Sequence, residues 1–197
     1  ITIGVSMGGN QLLRLLGTQP DHPSLQRIDR AMAICPSVNL IETSANMSRW
    51  SRRIYNAYFI RLLLTRIPHA VKHSERFRQQ NQLPLPRDMQ QFDEVFTAPL
   101  SGFSSARQYY EFSQSLPHLP NIQTPTWILA STNDPIIPYA FDEPGLLSAS
   151  TTLWKCDRGG HVGWISASRW LGLRRHWMCD RVENFVDAAP SGTVAGS

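Results

Sequence analysis

The chain has 197 residues, of which 42% are hydrophobic and 17% charged, a composition typical of a globular domain and not of a disordered segment. Its formal net charge of +4 suits an anionic surface or an acidic substrate and falls short of the footprint of a nucleic-acid-binding protein. No apolar run approaches the ~18 residues of a membrane span. These numbers predict one globular domain with a core of its own.

The chain begins with an apolar stretch and a glycine-rich turn. Residues 1–5 predict a buried strand, and residues 9–17 predict the helix behind it. Between them, Gly4-Val5-Ser6-Met7-Gly8 has the G-x-S-x-G spacing of a nucleophile elbow, in which a serine lies on a strained turn. The close approach of strand and helix is expected to leave no room for side chains at the flanking glycines. The same turn aims the Met7 backbone N–H at the place where an oxyanion would form.

The start of the chain and its cysteines bear on its cellular context. The sequence opens without a methionine, directly on this strand and turn, so we expect the true N-terminus and any targeting segment to lie upstream. A cytoplasmic location, or one peripheral to a membrane, fits the sequence. Cys35, Cys156 and Cys179 show no C-x-x-C spacing, which predicts reduced, buried thiols and neither a disulfide framework nor a zinc site. Since no metal, nucleotide or flavin motif is present, we expect no cofactor.

The middle of the chain differs from its ends in composition. Ala31 to Cys35, ended by Pro36, predicts a second buried parallel strand. Residues 40–115 are richer in arginine and aromatics and predict a helical cap or lid inserted after that strand. We expect the core domain to comprise residues 1–39 and 116–190, with 191–197 as a frayed tail.

One cap helix has an apolar face with basic residues mostly off it. The apolar residues are Ile54, Tyr55, Tyr58, Phe59, Leu62, Leu63 and Ile67. This helix either contacts lipid as an interfacial lid or packs on the body as an ordinary cap helix, and the second interpretation is favoured. Its aromatic residues either line an acyl pocket or form the core of the cap itself.

The last third of the chain predicts two more strands and two helices. Residues 126–130 and 151–154 are the strands, the second of them the final one. Residues 138–147 predict a loop with a short helix, and much of 166–187 predicts the last helix. This order of elements indicates an α/β fold with a parallel sheet.

Polar residues with complementary chemistry follow three of these strands. Ser6, Asp134 and His161 each lie just after a strand, and parallel strands bring their C-terminal ends to one edge of a sheet. Nucleophilic catalysis at a serine needs a base to take its proton and a carboxylate to orient that base. An isolated Asp-Pro is commonly a turn and an isolated Gly-Gly-His commonly a loop. In this order, however, the three together predict a Ser6–Asp134–His161 triad.

Several motifs carry a family resemblance that runs from Gly4 to about Val186. They are Gly4-Val5-Ser6-Met7-Gly8-Gly9-Asn10, Phe92-Asp93-Glu94, Thr97-Ala98-Pro99-Leu100, Gly102-Phe103, Tyr109-Tyr110, Asn133-Asp134-Pro135 and Gly159-Gly160-His161-Val162-Gly163-Trp164. Together they resemble the AB hydrolase-4 family, the α/β-hydrolase esterases that include the bacterial YheT-like hydrolases. The resemblance implies a partial α/β-hydrolase fold and a serine esterase, with eukaryotic relatives acting on medium-chain esters, acylglycerols or phospholipids.

Matching motifs place the family's nucleophile on Ser6, its acid on Asp134 and its base on His161. Asn133 stands where many members have a second aspartate. The family's first strands, and the H-G-x-x-G-type loop that supplies a second oxyanion donor, would precede Ile1. With Met7 as the one donor, we expect the chain alone to be a poor catalyst, because losing a donor costs about 3 kcal/mol. We also expect one edge of the first strand to be exposed.

Three functions remain open at this point. The first is hydrolysis of short- or medium-chain carboxylic esters, including lipid esters, through an acyl-serine; the second is acyl transfer to an alcohol on the same residues. The third is a truncated, non-catalytic hydrolase-like binding module. For substrate contacts the sequence suggests Trp164, Tyr58 and Phe59. The expected partners are an ester substrate and, through the basic cap, a membrane surface, with no nucleic acid and the oligomeric state open.

Overall fold

A computed structural model describes most of the chain. The described residues are 1–49, 53–66, 73, 75–80, 86–162, 164–167 and 174–187. The chain divides into two compact units, one comprising residues 1–39 and 114–197 and the other residues 40–113. The sequence predicts the helical insertion at residues 40–115.

The first unit contains a four-stranded parallel sheet. Its strands are β1 (Thr2–Val5), β2 (Ala31–Ile34), β3 (Thr126–Ser131) and β4 (Thr151–Cys156), in the spatial order β1-β2-β3-β4. Two short strands, β5 (Ile165–Ala167) and β6 (Arg174–His176), pair antiparallel in a separate hairpin. The parallel sheet confirms the predicted α/β class.

Helices surround this sheet in the first unit and make up the second unit. They are α1 (Met7–Thr18), α2 (Leu40–Met47), α3 (Arg53–Arg66), α4 (Glu75–Gln80), α5 (Met89–Phe92), α6 (Ala98–Leu100), α7 (Ala106–Ser113) and α8 (Trp177–Asp187). A π-helical turn, Asp93–Thr97, joins α5 to α6, and 3₁₀ turns cover Pro23–Arg27 and Leu116–Asn121. The whole helical unit is inserted between β2 and β3, as the sequence predicts.

The two central strands, β2 and β3, are buried on both faces, to which their side chains point alternately. On one face, Ala33 and Ile128 join a cluster with Leu13 of α1. On the other face, Met32 and Leu129 join a cluster with Phe185 of α8. The two central strands are thereby fixed between helices, and their C-terminal ends provide a rigid support for the loops that follow.

Several sequence predictions for the first unit are wrong. β1 is not a buried strand: Ile3 is 38% and Val5 46% exposed, because β1 has β2 as its one paired neighbour among the described residues. The stretch 138–147 contains no helix, since Pro144 and Gly145, whose φ is +78°, form a turn there.

The C-terminal helix is shorter than predicted. It begins at Trp177, and part of the residues before it forms the β5–β6 hairpin instead. From Trp177 onward, Val182 and Phe185 lie on the helical face that packs against the sheet. The predicted burial of all three thiols is also wrong, since Cys35 is buried, Cys156 half-buried and Cys179 exposed.

The second unit has its own apolar core. Ile60 of α3 packs there with Phe77, Phe92 and Phe96. The prediction that the apolar face of α3 packs on the body is wrong for two of its residues: Ile54 is 87% exposed and Tyr58 is 63% exposed. Apolar residues lie on nearly every side of this helix, so the buried face is decided by the phenylalanine cluster and not by the helix's own pattern.

A buried polar network also holds the second unit together. The Ser44 hydroxyl donates to Tyr110 Oη at 2.9 Å, and Tyr110 in turn donates to Asp93 at 2.6 Å. Thr97 Oγ1 donates to the other oxygen of Asp93. Burial raises the pKa of Asp93 above its ordinary value, and these two hydrogen bonds oppose that shift.

No helix among the described residues has the length and apolarity to cross a bilayer.

The glycines around Ser6 differ in how closely they are packed. A Cβ on Gly4 would lie 2.6 Å from the Gly8 carbonyl oxygen and 2.9 Å from Gly9 Cα, so β1 and α1 touch there. A Cβ on Gly8 would meet no described atom within 4 Å apart from its chain neighbours and the backbone of its own helix, which corrects the expectation that both motif glycines are required for space. Gly9 is the second tight position, 3.0 Å from the Pro36 side chain.

This difference is testable with a matched pair of variants. Gly4→Ala should lower the free energy of unfolding by about 1–3 kcal/mol, because the added methyl group overlaps the backbone of α1. Gly8→Ala should leave it unchanged or raise it by about 0.5–1 kcal/mol, because alanine favours a helix. Urea unfolding followed by circular dichroism measures both, and equal destabilisation by the two changes would contradict the packing described here.

Candidate active site

Ser6 lies between β1 and α1 in a strained backbone conformation. Its φ of +53° and ψ of −119° fall where a residue with a side chain is rarely found. The Ser6 N–H donates to the Ile34 carbonyl at 2.8 Å, and its own carbonyl accepts from the Asn10 N–H at 3.1 Å. These bonds hold the turn from both sides and leave the side chain projecting from the end of the strand.

The residues that follow Ser6 anchor the turn to the body of the unit. Met7 is the first residue of α1, so its N–H is among the amides that the helix itself does not pair. Asn10, which is 1% exposed, accepts a hydrogen bond from the Ser115 N–H at 2.8 Å. The position of Met7 is that expected of an oxyanion donor, and that role stays a prediction.

Asp134 lies in the turn after β3 with its side chain 3% exposed. One carboxylate oxygen accepts from the N–H groups of Ile136 at 2.8 Å and Ile137 at 2.9 Å. The other oxygen lies 2.8 Å from His161 Nδ1. The two backbone donors fix the carboxylate, which leaves its second oxygen directed at the imidazole.

His161 follows β4 and connects the carboxylate to the serine. Its Nε2 lies 3.1 Å from Ser6 Oγ. Because an ionised carboxylate only accepts hydrogen bonds, the contact with Asp134 assigns the ring proton to Nδ1. Nε2 then carries a lone pair that can accept the Ser6 proton, which is the arrangement by which a base activates a serine hydroxyl.

Asn133 positions the loop that carries His161. Its side-chain oxygen accepts from the N–H groups of Gly159 and Gly160, each at 3.0 Å, and from Ser131 Oγ at 2.7 Å. The sequence marked Asn133 only as a replacement for an aspartate. Its partners lie 26 and 27 residues further along the chain, a pairing that no local pattern indicates.

Trp164 also supports the loop that carries His161. It is 2% exposed, its Nε1–H donates to the Gly160 carbonyl at 3.1 Å, and a Cβ on Gly159 would lie 2.6 Å from its ring. Its ring also packs against Trp177 at 5.2 Å between centroids. With so little surface left for a substrate, Trp164 is better explained as a support for the loop than as the predicted substrate contact.

The other two predicted substrate contacts lie in the second unit. Tyr58 and Phe59 are neighbours on α3, with ring centroids 5.7 Å apart in an edge-on arrangement. Tyr58 is largely exposed and Phe59 half-buried. Ser6, Asp134 and His161 belong entirely to the first unit, and the role of the two aromatic residues stays a prediction.

Cys35 is a neighbour of the triad that the sequence did not indicate. It follows β2 with a φ of +45°, and one ligand atom each of Cys35, Asp134 and His161 lie within 4.8 Å of one another. Burial, and then the negative charge of Asp134 and the neighbouring Cys156, raise the pKa of the Cys35 thiol to about 12. The thiol is therefore protonated at neutral pH when nothing is bound to it.

Comparison with known proteins assigns this chain to a protein family. The model of the alpha/beta hydrolase family matches residues 1–172, and the chain therefore belongs to that family. This agrees with the parallel sheet and with the order of Ser6, Asp134 and His161 along the chain.

Proteins similar to this chain carry esterase and lipase names. "Putative esterase YheT" of Escherichia coli is 28% identical over 93% of this chain and 54% of its own length. "Medium-chain fatty acid ethyl ester synthase/esterase 2" of Saccharomyces cerevisiae is 27% identical over 83% of this chain and 41% of its own. "Monoacylglycerol lipase" of the same yeast is 27% identical over 85% and 39%. The chain thus spans about half the length of these relatives or less.

The role of Asn133 can be tested apart from any reaction. Asn133→Ala should lower the free energy of unfolding by about 1–2 kcal/mol, since it leaves two half-buried loop amides and the hydroxyl of the buried Ser131 without their acceptor. Amide hydrogen exchange at Gly159 and Gly160 should accelerate together. Asn133→Asp keeps an acceptor oxygen and should preserve most of that protection; full protection in the alanine variant would contradict the assignment.

Proposed function

We propose that this chain carries the catalytic centre of a serine hydrolase that cleaves carboxylic esters through an acyl-serine intermediate. The observation that supports this most directly is the continuous contact from Asp134 to His161 at 2.8 Å and on to Ser6 at 3.1 Å. The esterase and lipase names of the relatives support an ester as the substrate class.

The proposed reaction proceeds in two halves. Ser6 Oγ attacks the ester carbonyl carbon while His161 Nε2 takes the hydroxyl proton, and the Met7 N–H donates to the developing oxyanion. His161 then gives that proton to the leaving alcohol, and the acyl-serine remains. Water, deprotonated by the same nitrogen, attacks the acyl carbon; the bond to Ser6 Oγ then breaks, His161 returns the proton to that oxygen, and the acid is released. Asp134 stabilises the imidazolium form of His161 in both halves.

We propose short- or medium-chain acyl groups, including those of lipid esters, as the substrates, with the second unit as a cap. The exposed side chain of Ile54, on the same helix as the exposed Arg61, is compatible with peripheral contact to an anionic membrane through α3. Tyr58 and Phe59 remain the proposed acyl contacts of that helix.

Acyl transfer to an alcohol is a second candidate, because one relative is named as an ethyl ester synthase as well as an esterase. It uses the same residues and differs only in whether water or alcohol attacks the acyl-serine. With ethanol added, acyl transfer gives an ethyl ester among the products in proportion to ethanol, whereas strict hydrolysis gives acid alone. The non-catalytic binding module predicts neither product.

The triad is tested by labelling with a fluorophosphonate probe, which reacts once with an activated serine. We expect the chain to be labelled and Ser6→Ala to be unlabelled. Ser37→Ala is the matched control, because this buried serine lies beside the turn and its N–H donates to the Ser6 carbonyl at 3.4 Å. Loss of labelling in both variants, or in neither, would contradict Ser6 as the nucleophile.

The same probe measures the contribution of the other two residues. His161→Ala should slow labelling by roughly 10⁴-fold or more, because it removes the base itself. Asp134→Asn should slow labelling by about 10⁴-fold, because it removes the carboxylate that fixes the productive tautomer of the ring. Labelling does not require turnover, so it also separates an intact triad from the slow turnover expected of a single oxyanion donor. Labelling rates of these two variants that stay within tenfold of the parent chain would contradict the proposed roles of His161 and Asp134.

A further inference from the structure

Three side chains of different chemistry meet where the central strands end. Cys35 follows β2, Asp134 follows β3 and His161 follows β4, and one ligand atom of each lies within 4.8 Å of the other two. A thiolate, a carboxylate oxygen and an imidazole nitrogen are the ligand types that proteins use for Zn²⁺, and three protein ligands with an open fourth position are common for this metal. The sequence spacing had indicated no such group.

We propose that Cys35, Asp134 and His161 form a binding site for a thiophilic divalent metal ion, Zn²⁺ or Cd²⁺, whose occupancy turns off the triad. The binding part of this inference stands on the geometry alone. The inhibitory part rests on the proposed function of Ser6 and His161.

The distances are close to those of a tetrahedral site. Zn²⁺ bonds of 2.0–2.3 Å place neighbouring ligand atoms about 3.3–3.7 Å apart. His161 Nδ1 and Asp134 Oδ2, now 2.8 Å apart, would separate by about half an ångström, and Cys35 would approach by about 1 Å. A small cavity of about 10 Å³ borders Cys35 and Asp134 on the side lined by Ile137 and Phe141.

Burial and ligand type set the selectivity. Cys35 is 2% exposed, and the side chains of Asp134 and His161 are 3% and 17% exposed, so an ion would enter along the edge of the imidazole. The thiolate selects Zn²⁺ and Cd²⁺ over the hard ions Mg²⁺ and Ca²⁺, which prefer oxygen ligands alone.

Metal binding would act through the tautomer of His161. Nδ1 is the ring nitrogen that faces Asp134, so it is the one that donates its lone pair to the metal. In the neutral metal-bound ring the proton is carried by Nε2, the nitrogen that faces Ser6. Nε2 then has no lone pair to accept the serine proton. The Cys35 thiol releases its proton to solvent as the sulfur–metal bond forms, and no electrons change hands.

Cd²⁺ titration of the whole chain tests the binding part without any assay of activity. We expect one Cd²⁺ per chain and the ultraviolet charge-transfer band of a cadmium–thiolate bond, with Zn²⁺ competing for the same site. Cys35→Ser, which keeps the size of the side chain, should abolish the band. Cys35→Ser and His161→Ala should each weaken Cd²⁺ binding by at least about 10- to 100-fold. Losing a residue that only supports a metal ligand already costs that much, and these two residues are proposed ligands.

The control is a Cys156→Ala/Cys179→Ala double variant, which keeps Cys35 and should bind Cd²⁺ like the parent chain. Circular dichroism verifies that each variant is folded. A band that survives in Cys35→Ser or disappears in the double variant would overturn the site, as would the absence of stoichiometric binding to the folded parent chain.

Fluorophosphonate labelling with and without Zn²⁺ tests the inhibitory part. We expect saturating Zn²⁺ to suppress labelling of the parent chain. Suppression of labelling in Cys35→Ser should need a Zn²⁺ concentration at least about tenfold higher. Cd²⁺ binding in a chain that is never labelled would overturn the proposed function and keep the site. Labelling unaffected by Zn²⁺ at concentrations that fill the site would overturn the inhibition.

Discussion

The left-handed backbone at Ser6 is the constraint from which the rest of this site follows. A residue with a side chain adopts this conformation only when its surroundings enforce it. Here the hydrogen bonds of Ser6 with Ile34 and Asn10 hold the turn, and the absence of a side chain at Gly4 allows β1 and α1 to approach each other. The turn reverses the chain within one residue. As a result, the serine hydroxyl stands at the end of β1 while α1 packs its leucines against the sheet behind it.

Parallel strands then determine which residues can meet Ser6. The loops after β3 and β4 leave the sheet at the same edge, which brings Asp134 and His161 into a line with the serine. Backbone donors hold Asp134, and Asn133 and Trp164 hold the glycines before His161. Each side chain of the proposed triad is thus positioned by contacts that have no proposed chemical role of their own.

The sequence could predict the elements that depend on local pattern and chain order. Alternating or continuous apolar runs predict strands, and the order of strands predicts that Ser6, Asp134 and His161 meet. The sequence could not predict contacts between distant parts of the chain, such as the amides bound by Asn133 or the thiol of Cys35 beside Asp134. The exposed face of α3 and the missing helix at 138–147 have the same origin: tertiary packing and a Pro-Gly turn outweigh local propensity.

The central claim is that Asp134 holds the proton of His161 on Nδ1 so that Nε2 faces Ser6 as a base. Proton NMR of the far-downfield region tests it most directly, because a ring N–H shared with a buried carboxylate resonates apart from other amide protons. The account predicts one such resonance in the parent chain, retained in Ser6→Ala and lost in the folded Asp134→Ala variant. No resonance in the folded parent chain, or one that survives Asp134→Ala, would contradict it.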